Sequence, residues 1–109
     1  MAVNKVQRKV GLDALRRLIE KTPVDTGRAK GNWQVGINQR PQGALEAEDK
    51  SGSATFAKGA AAIATSHPFC EIHLTNNVQY ILALENGHSQ QAARGMLSVT
   101  LEELMEVFR

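Results

Sequence analysis

The change from a helical to a strand pattern falls within residues 22–39, TPVDTGRAKGNWQVGINQ. In its second half Trp33, Val35 and Ile37 alternate with polar residues or glycine, as a half-buried strand requires. Pro23 forces the residue before it out of the helical region, so a preceding helix should end there. The stretch therefore predicts a helix end, a short turn and a first strand over 32–39.

The segment before this stretch predicts an amphipathic helix over residues 2 to about 21. Its apolar residues recur at intervals of three and four, the spacing of one helix face. They are Val3, Val6, Val10, Ala14, Leu15, Leu18 and Ile19. Most basic residues of the segment fall off this stripe, so we expect a charged outer face.

Polar residues and turn formers fill residues 40–52, which predicts a long surface loop that stays mobile unless a partner orders it. An alanine-rich helix with Ser53 as its cap is expected over 53–65. Alternation resumes in FCEIHLT (69–75), which indicates a second strand.

Asn76 and Asn77 predict a turn. Residues 78–87 predict a short helix that ends on a left-handed glycine. A last helix is expected to start at about residue 95. Together these patterns predict an α+β fold with a small antiparallel or mixed β-sheet. N-terminal and C-terminal helices should flank the sheet, together with short internal helices. The length of 109 residues suits one domain, so we interpret 1–109 as a single domain.

Composition excludes several classes of protein. Aromatic residues are 5% of the chain, so the core should be mainly aliphatic, and no apolar run is long enough for a spanning helix. Charged residues near the N-terminus disfavour a signal peptide. The single cysteine, Cys70, fits a reducing compartment.

The charge is unevenly distributed along the chain. Residues 1–30 carry a net charge of +5, and the remainder carries −3. Such asymmetry suits nucleic-acid binding by a basic helix, and it also suits head-to-tail contacts in which unlike patches of identical subunits meet.

Asp25-Thr26-Gly27 is the tripeptide that carries the catalytic carboxylate in aspartic proteases. In those enzymes two carboxylates share a proton at a dimer axis. Here the tripeptide follows a charged helix and a proline instead of an apolar strand. We favour a helix cap, in which Asp25 or Thr26 accepts a backbone N–H and Gly27 eases the bend. A protease dimer is a distant alternative.

Two further groupings could suggest chemistry. His67, Cys70 and His73 are spaced at three residues, but successive strand residues point to opposite faces, so Cys70 and His73 should not share an ion. Ser89 adjoins His88 without a nucleophile elbow around it. We therefore expect no catalytic residues, no metal and no cofactor.

Three segments then appear in the order and spacing of a phage family. They are TPVDTGRAKGNWQVGIN (22–38), DKSGSATFAKGAAAIA (49–64) and IHLTNNVQYILALENGHSQQAARGML (72–97). They resemble the small neck proteins of tailed bacteriophages, variously called tail-completion, head–tail joining or minor tail protein Z-like proteins. The likeness covers residues 18–100. The chain departs from the pattern at Ala93, where a proline is common.

The resemblance implies a structural role without catalytic residues. In the family the first segment connects the first helix to the first strand, and the third turns from a strand into a short helix. Trp33 is the residue we expect to act as a packing anchor. The motif and interface candidates are Asp25, Thr26, Gly27, Arg28, Trp33, Asn76, Asn77, Tyr80, Glu85, Gly87 and Ser89.

The resemblance also implies the partners. It predicts a sixfold ring of identical subunits in the virion neck, assembled in the host cytoplasm between the connector or stopper and the tail terminator or tail tube. Genome DNA would pass through the lumen without specific binding, and no membrane is involved. The loop at 40–52 would reach a neighbouring ring or the lumen, where Glu46, Glu48 and Asp49 would repel phosphates. The alternative is a DNA-binding or regulatory module that uses the basic helix.

Overall fold

A computed structural model describes residues 2–24, 26–68 and 70–78. In chain order its elements are α1 (Ala2–Lys21), α2 (Arg28–Gly31), β1 (Trp33–Ile37), α3 (Ser53–Ala64) and β2 (Ile72–Asn76). This is the predicted α+β fold, with a small sheet, an N-terminal helix and short internal helices. The predicted helices after residue 78 lie outside the described residues. In the part described, none of the helices is long and apolar enough to cross a membrane.

The sheet pairs β1 with β2 in antiparallel orientation. Trp33 lies opposite Asn76, and Ile37 lies opposite Ile72. The connection between the strands contains residues 38–52 and α3, so the two strands are far apart in sequence. The first strand is shorter than predicted because Asn32 forms the C-cap of α2 and Asn38 turns the chain with a φ of 62°.

The core lies where α1 and α3 pack against each other and against the sheet. Leu15 and Ile63 are fully buried at its centre. Leu18, Ile19 and Trp33 complete the buried cluster. Further apolar side chains pack against it at its edge: Leu12, Val35, Phe56, Ile72 and Leu74. As the composition predicts, this core is mainly aliphatic.

The predicted apolar stripe of α1 is wrong at Val6. Val6 is 58% exposed, although the spacing of three and four residues placed it with the core-facing valines. About two and a half helical turns separate Val6 from Leu15, which puts the two side chains on opposite sides of the helix. The segment interpreted as a short turn also differs, because it contains the four-residue helix α2.

At Gly59, α3 lies close to both α1 and β1. A Cβ added there would collide with Leu15 Cδ2 and lie 3.0 Å from Val35 Cγ2. A glycine in a helix interior normally destabilises the helix. Here it allows α3 to approach both α1 and β1.

We expect Gly59→Ala to lower the free energy of unfolding by about 1–3 kcal/mol, because a methyl group would overpack a closed site. The higher helix propensity of alanine opposes this loss by about 1 kcal/mol. Ala61→Gly, at an exposed position of the same helix, is the control and should cost about 1 kcal/mol. Urea unfolding followed by circular dichroism measures both. A stabilised Gly59→Ala variant would contradict the close packing.

Candidate functional site

Four polar residues and one glycine from separate parts of the chain meet around the loop 38–52. We call this set the loop junction, comprising Gly27, Asn32, Asp49, Asn76 and Asn77. The loop has neither helix nor strand, so its position depends on these residues. It was predicted to be mobile without a partner, whereas hydrogen bonds tie it to the body of the described structure.

Asn32 is fully buried and fixes the middle of the loop. Its Nδ2 donates to the carbonyl oxygens of Arg28 (2.7 Å) and Leu45 (3.0 Å), and its Oδ1 accepts from the Leu45 N–H. The Asn32 side chain thus both donates to and accepts from the backbone of Leu45, as a paired strand residue would. The sequence pattern placed Asn32 on the polar, outward face of β1, and this was wrong because the side chain points into the protein to serve the loop.

Gly27 holds the start of α2 against the end of the loop. Its φ is 88°, in the left-handed region that favours glycine. Its carbonyl oxygen accepts from the N–H of Gly31 and from the N–H of Asp49, each at 2.9 Å. A Cβ at this position would lie 2.7 Å from the Lys50 backbone nitrogen. Any side chain at residue 27 would therefore displace the loop.

Asp49 caps α3 at the other end of the loop. Its Oδ2 accepts from both the N–H and the hydroxyl of Thr55 (2.8 Å each), and its Oδ1 accepts from the N–H of Gly52 (3.1 Å). The hydrogen bond from the Thr55 N–H is the main cause that lowers the pKa of the Asp49 carboxyl, and burial opposes it. Ser53 was predicted as the cap, but it is the first helical residue and the carboxylate takes that role.

We expect Asp49→Ala to lower the free energy of unfolding near neutral pH by about 0.5–2 kcal/mol, the usual value of a helix cap. The folded pKa lies below the unfolded value of about 3.9. The stabilisation of the fold by the Asp49 carboxylate is therefore complete above that pH, and it is lost as pH falls through the folded pKa. Urea unfolding at pH 7 and below pH 4 should show the difference from wild type shrinking on acidification. Exposed Glu48→Ala is the control, and an equal loss there would contradict the cap.

Asn76 and Asn77 connect the end of β2 to the same junction. Asn76 Nδ2 donates to the carbonyl oxygen of Ala29 at 2.8 Å, and its Oδ1 accepts from the Val78 N–H at 3.3 Å. Asn77 Nδ2 lies 3.1 Å from the carbonyl oxygens of both Pro41 and Gly43. Both amides thus support the backbone of other segments.

Thr26 and Arg28 lie between α1 and the loop. Thr26 Oγ1 accepts from the Arg28 N–H at 3.2 Å, a local cap of the kind predicted for this turn. Arg28 Nε lies 3.5 Å from the carbonyl oxygen of Leu45. Thr26 and Gly27 therefore belong to a connection between two helices, whereas the protease interpretation needs them at the end of a strand.

Trp33 anchors β1 to the end of α1. It is buried, and its indole Nε1 donates to Thr22 Oγ1 at 2.7 Å. The Thr22 hydroxyl in turn donates to the Leu18 carbonyl oxygen at 2.6 Å, so its proton and its lone pair are both used. Trp33 is thus a core residue of the described structure.

Sequence reasoning named three residues of the loop junction among its candidates: Gly27, Asn76 and Asn77. Two further candidates, Thr26 and Arg28, lie beside the junction. Asp25, Tyr80, Glu85, Gly87 and Ser89 lie outside the described residues. Asn32 and the capping role of Asp49 were missed. The signal for Asp49 was an aspartate shortly before Gly52 and an alanine-rich run, a frequent helix start. The role of Asn32 could not be predicted, because a polar residue next to the apolar Trp33 fits the ordinary alternation of a strand.

Cys70 and His73 have separate surroundings. Cys70 is buried, and its carbonyl oxygen accepts from Gln7 Nε2. His73 Nε2 lies 3.1 Å from Glu71 Oε1. In residues 2–24, 26–68 and 70–78, no three His, Cys, Asp or Glu side chains are grouped as a metal site would need.

A shallow groove is lined by one side of α1 and by Phe56 of α3. We call it the basic groove. Its volume is about 540 Å³, and it is lined by Lys5, Arg8, Lys9, Leu12, Asp13, Arg16, Arg17 and Phe56. Five of these side chains are basic and one is acidic. Leu12 and Phe56 form an apolar floor, because both also pack on the core.

Asp13 orders one part of the groove. Its Oδ1 lies 2.6 Å from Arg16 Nη2 and 3.1 Å from Arg17 Nε. Burial raises the pKa of Asp13, but the hydrogen bonds from Arg17 and Arg16 outweigh it and leave the pKa below its ordinary value. Arg8 is held by the hydroxyl and the carbonyl oxygen of Ser66. Lys5 and Lys9 are exposed and have no ion-pair partner among the described residues.

Comparisons with protein-family models, curated proteins and solved structures gave no match to this chain.

Proposed function

We propose that this chain is a structural protein of a tailed-bacteriophage virion, which forms a ring in the neck and joins the head connector to the tail. It acts by binding its neighbours and makes or breaks no covalent bond. Its partners are further copies of itself in a sixfold ring, the connector or stopper on the head side, and the tail terminator or tail tube proteins on the other. Genome DNA passes through the lumen without specific binding.

One observation carries the proposal. At the loop junction, the first of the three segments that resemble the neck proteins contacts both the second and the third. Gly27 and Asn32 come from the first segment, Asp49 from the second, and Asn76 and Asn77 from the third. Asn76 binds the Ala29 carbonyl oxygen in α2, and the polar groups of the other four residues bind the backbone of the loop 38–52. This use favours a role in presenting a surface over a role in chemistry.

The distribution of charge gives further support. A ring of identical subunits needs a heterologous interface, in which one patch meets a different patch on the next copy. The basic groove on α1 and the exposed acidic residues Glu46, Glu48 and Glu71 are patches of opposite sign.

The test is to remove this chain from the phage that encodes it. We expect filled heads and finished tails to accumulate unjoined, because the neck ring that links them is missing. Supplying the wild-type chain in trans should restore joined, infectious particles. Normal particles without the chain would contradict the proposal.

The basic groove also supports a second candidate, a DNA-binding module that uses α1. Lys5 and Lys9 could contact phosphates, and affinity would then fall steeply with salt. Arg16 and Arg17 are already bound to Asp13, which reduces the charge open to DNA. A salt-dependent mobility shift of duplex DNA by the purified chain, together with its absence from particles, would favour this candidate.

A further inference from the structure

We propose that the basic groove of one copy binds the acidic edge of loop 38–52, formed by Glu46 and Glu48, of a second copy. This inference rests on the proposed function and names the contact between neighbours in its ring. The two patches differ, so the contact is heterologous and repeats from copy to copy until a ring closes.

The loop junction presents the acidic edge in a defined position. Leu45 is fixed by Asn32 on one side, and Asp49 is fixed by α3 on the other. Glu46 and Glu48 lie between these anchors and are exposed. A loop that is already ordered loses less conformational entropy on binding, which favours a role in recognition.

The dimensions of the two patches agree. Glu46 and Glu48 are separated by one residue, so their Cα atoms are at most about 7 Å apart. Lys5 and Lys9 are one helical turn apart, about 6 Å along the axis. Both lysines are exposed, so the two glutamates can contact them at the same time.

The rest of the groove favours a protein partner over a nucleic acid. Asp13 lines the groove and pairs with Arg16 and Arg17, which lowers the positive charge available to phosphates. The apolar floor of Leu12 and Phe56 offers nothing to a phosphate backbone, but it can cover small side chains beside the glutamates. Ala44 and Ala47 lie within two residues of Glu46 and are such small side chains, and Ala44 is exposed.

Charge reversal in two separate chains tests the contact. The groove variant is Lys5→Glu with Lys9→Glu, and the loop variant is Glu46→Lys with Glu48→Lys. Arg40→Glu with Lys58→Glu, both at exposed positions, is a control that matches the charge change of the groove variant. Native mass spectrometry and sedimentation velocity measure self-association, and circular dichroism checks that each variant is folded.

We expect each reversed variant alone to self-associate at least about tenfold more weakly, because like charges would then face each other. The control should match wild type. An equal mixture of the groove and loop variants should assemble again, because each groove then meets a loop of opposite charge. A single chain with all four reversals should assemble as well.

Several results would overturn the inference. They are a wild-type chain that does not self-associate, reversals without effect, or a groove variant that fails while the loop variant assembles normally. The last result would assign the groove to another occupant, such as DNA or a different acidic segment. Rescue by the fourfold variant without rescue by the mixture would place the contact within one chain. The presence of the chain in virions is measured separately, so the proposed function can survive each of these results.

Discussion

Replacing Trp33 by alanine is expected to lower the free energy of unfolding by about 3–5 kcal/mol. The side chain is only 9% exposed and belongs to the same buried cluster as Leu15 and Ile63. Removing it would leave a large cavity where α1 meets β1. It would also leave the Thr22 hydroxyl without its indole donor. Urea unfolding of the purified chain, followed by circular dichroism, measures the loss.

Thr22→Val separates the hydrogen bond from the packing. It removes the hydroxyl but keeps the shape, and it should cost about 1–3 kcal/mol because the buried indole N–H is left without its acceptor. The loss for Trp33→Ala should therefore exceed that for Thr22→Val. If Trp33→Ala left monomer stability unchanged and abolished ring assembly, Trp33 would be an interface residue, contrary to the packing described above.

Replacing Asn32 by leucine is the other change with a large expected effect. Leucine has a similar volume, but it would leave the N–H and the carbonyl of Leu45 without their partners. Each buried polar group that loses its partner costs about 1–3 kcal/mol, so we expect a total loss of about 2–6 kcal/mol. Part of this cost can be relieved if the loop detaches and its backbone binds water. Hydrogen exchange of the Leu45 amide should then become much faster.

Gln34→Leu is the matched control for Asn32→Leu. Gln34 Nε2 also donates to a loop carbonyl, that of Gly43 at 2.9 Å, but its side chain is only partly buried. Water can replace that donor, so the loss should stay below about 1 kcal/mol. Equal effects of the two changes on stability and on exchange at Leu45 would show that Asn32 does not fix the loop.

Much of the fold could be predicted because it follows from local patterns. The end of α1 before Pro23 and the two alternating strands depend on backbone restrictions and on spacing that a short window contains. Val6 shows the limit of this approach. Intervals of three and four residues accumulate an angular error along a helix, so a stripe traced from one end can leave the buried face.

The loop junction could not be predicted in the same way. The partners of Asn32 and Asn77 lie in the loop, 13 and 34 to 36 residues away in sequence. Nothing local distinguishes these amides from solvent-exposed ones. Asp49 was assigned to a surface that faces DNA because its charge was visible in the sequence, whereas its hydrogen bonds to Thr55 and Gly52 are visible only in the fold.

High-resolution imaging of the neck in purified particles tests the central claim most directly. We expect a ring between connector and tail in which each subunit shows α1 and α3 packed on the β1–β2 sheet, with loop 38–52 of one subunit against α1 of the next. A neck whose density is fully explained by other proteins, with no chain of this fold, would contradict the account.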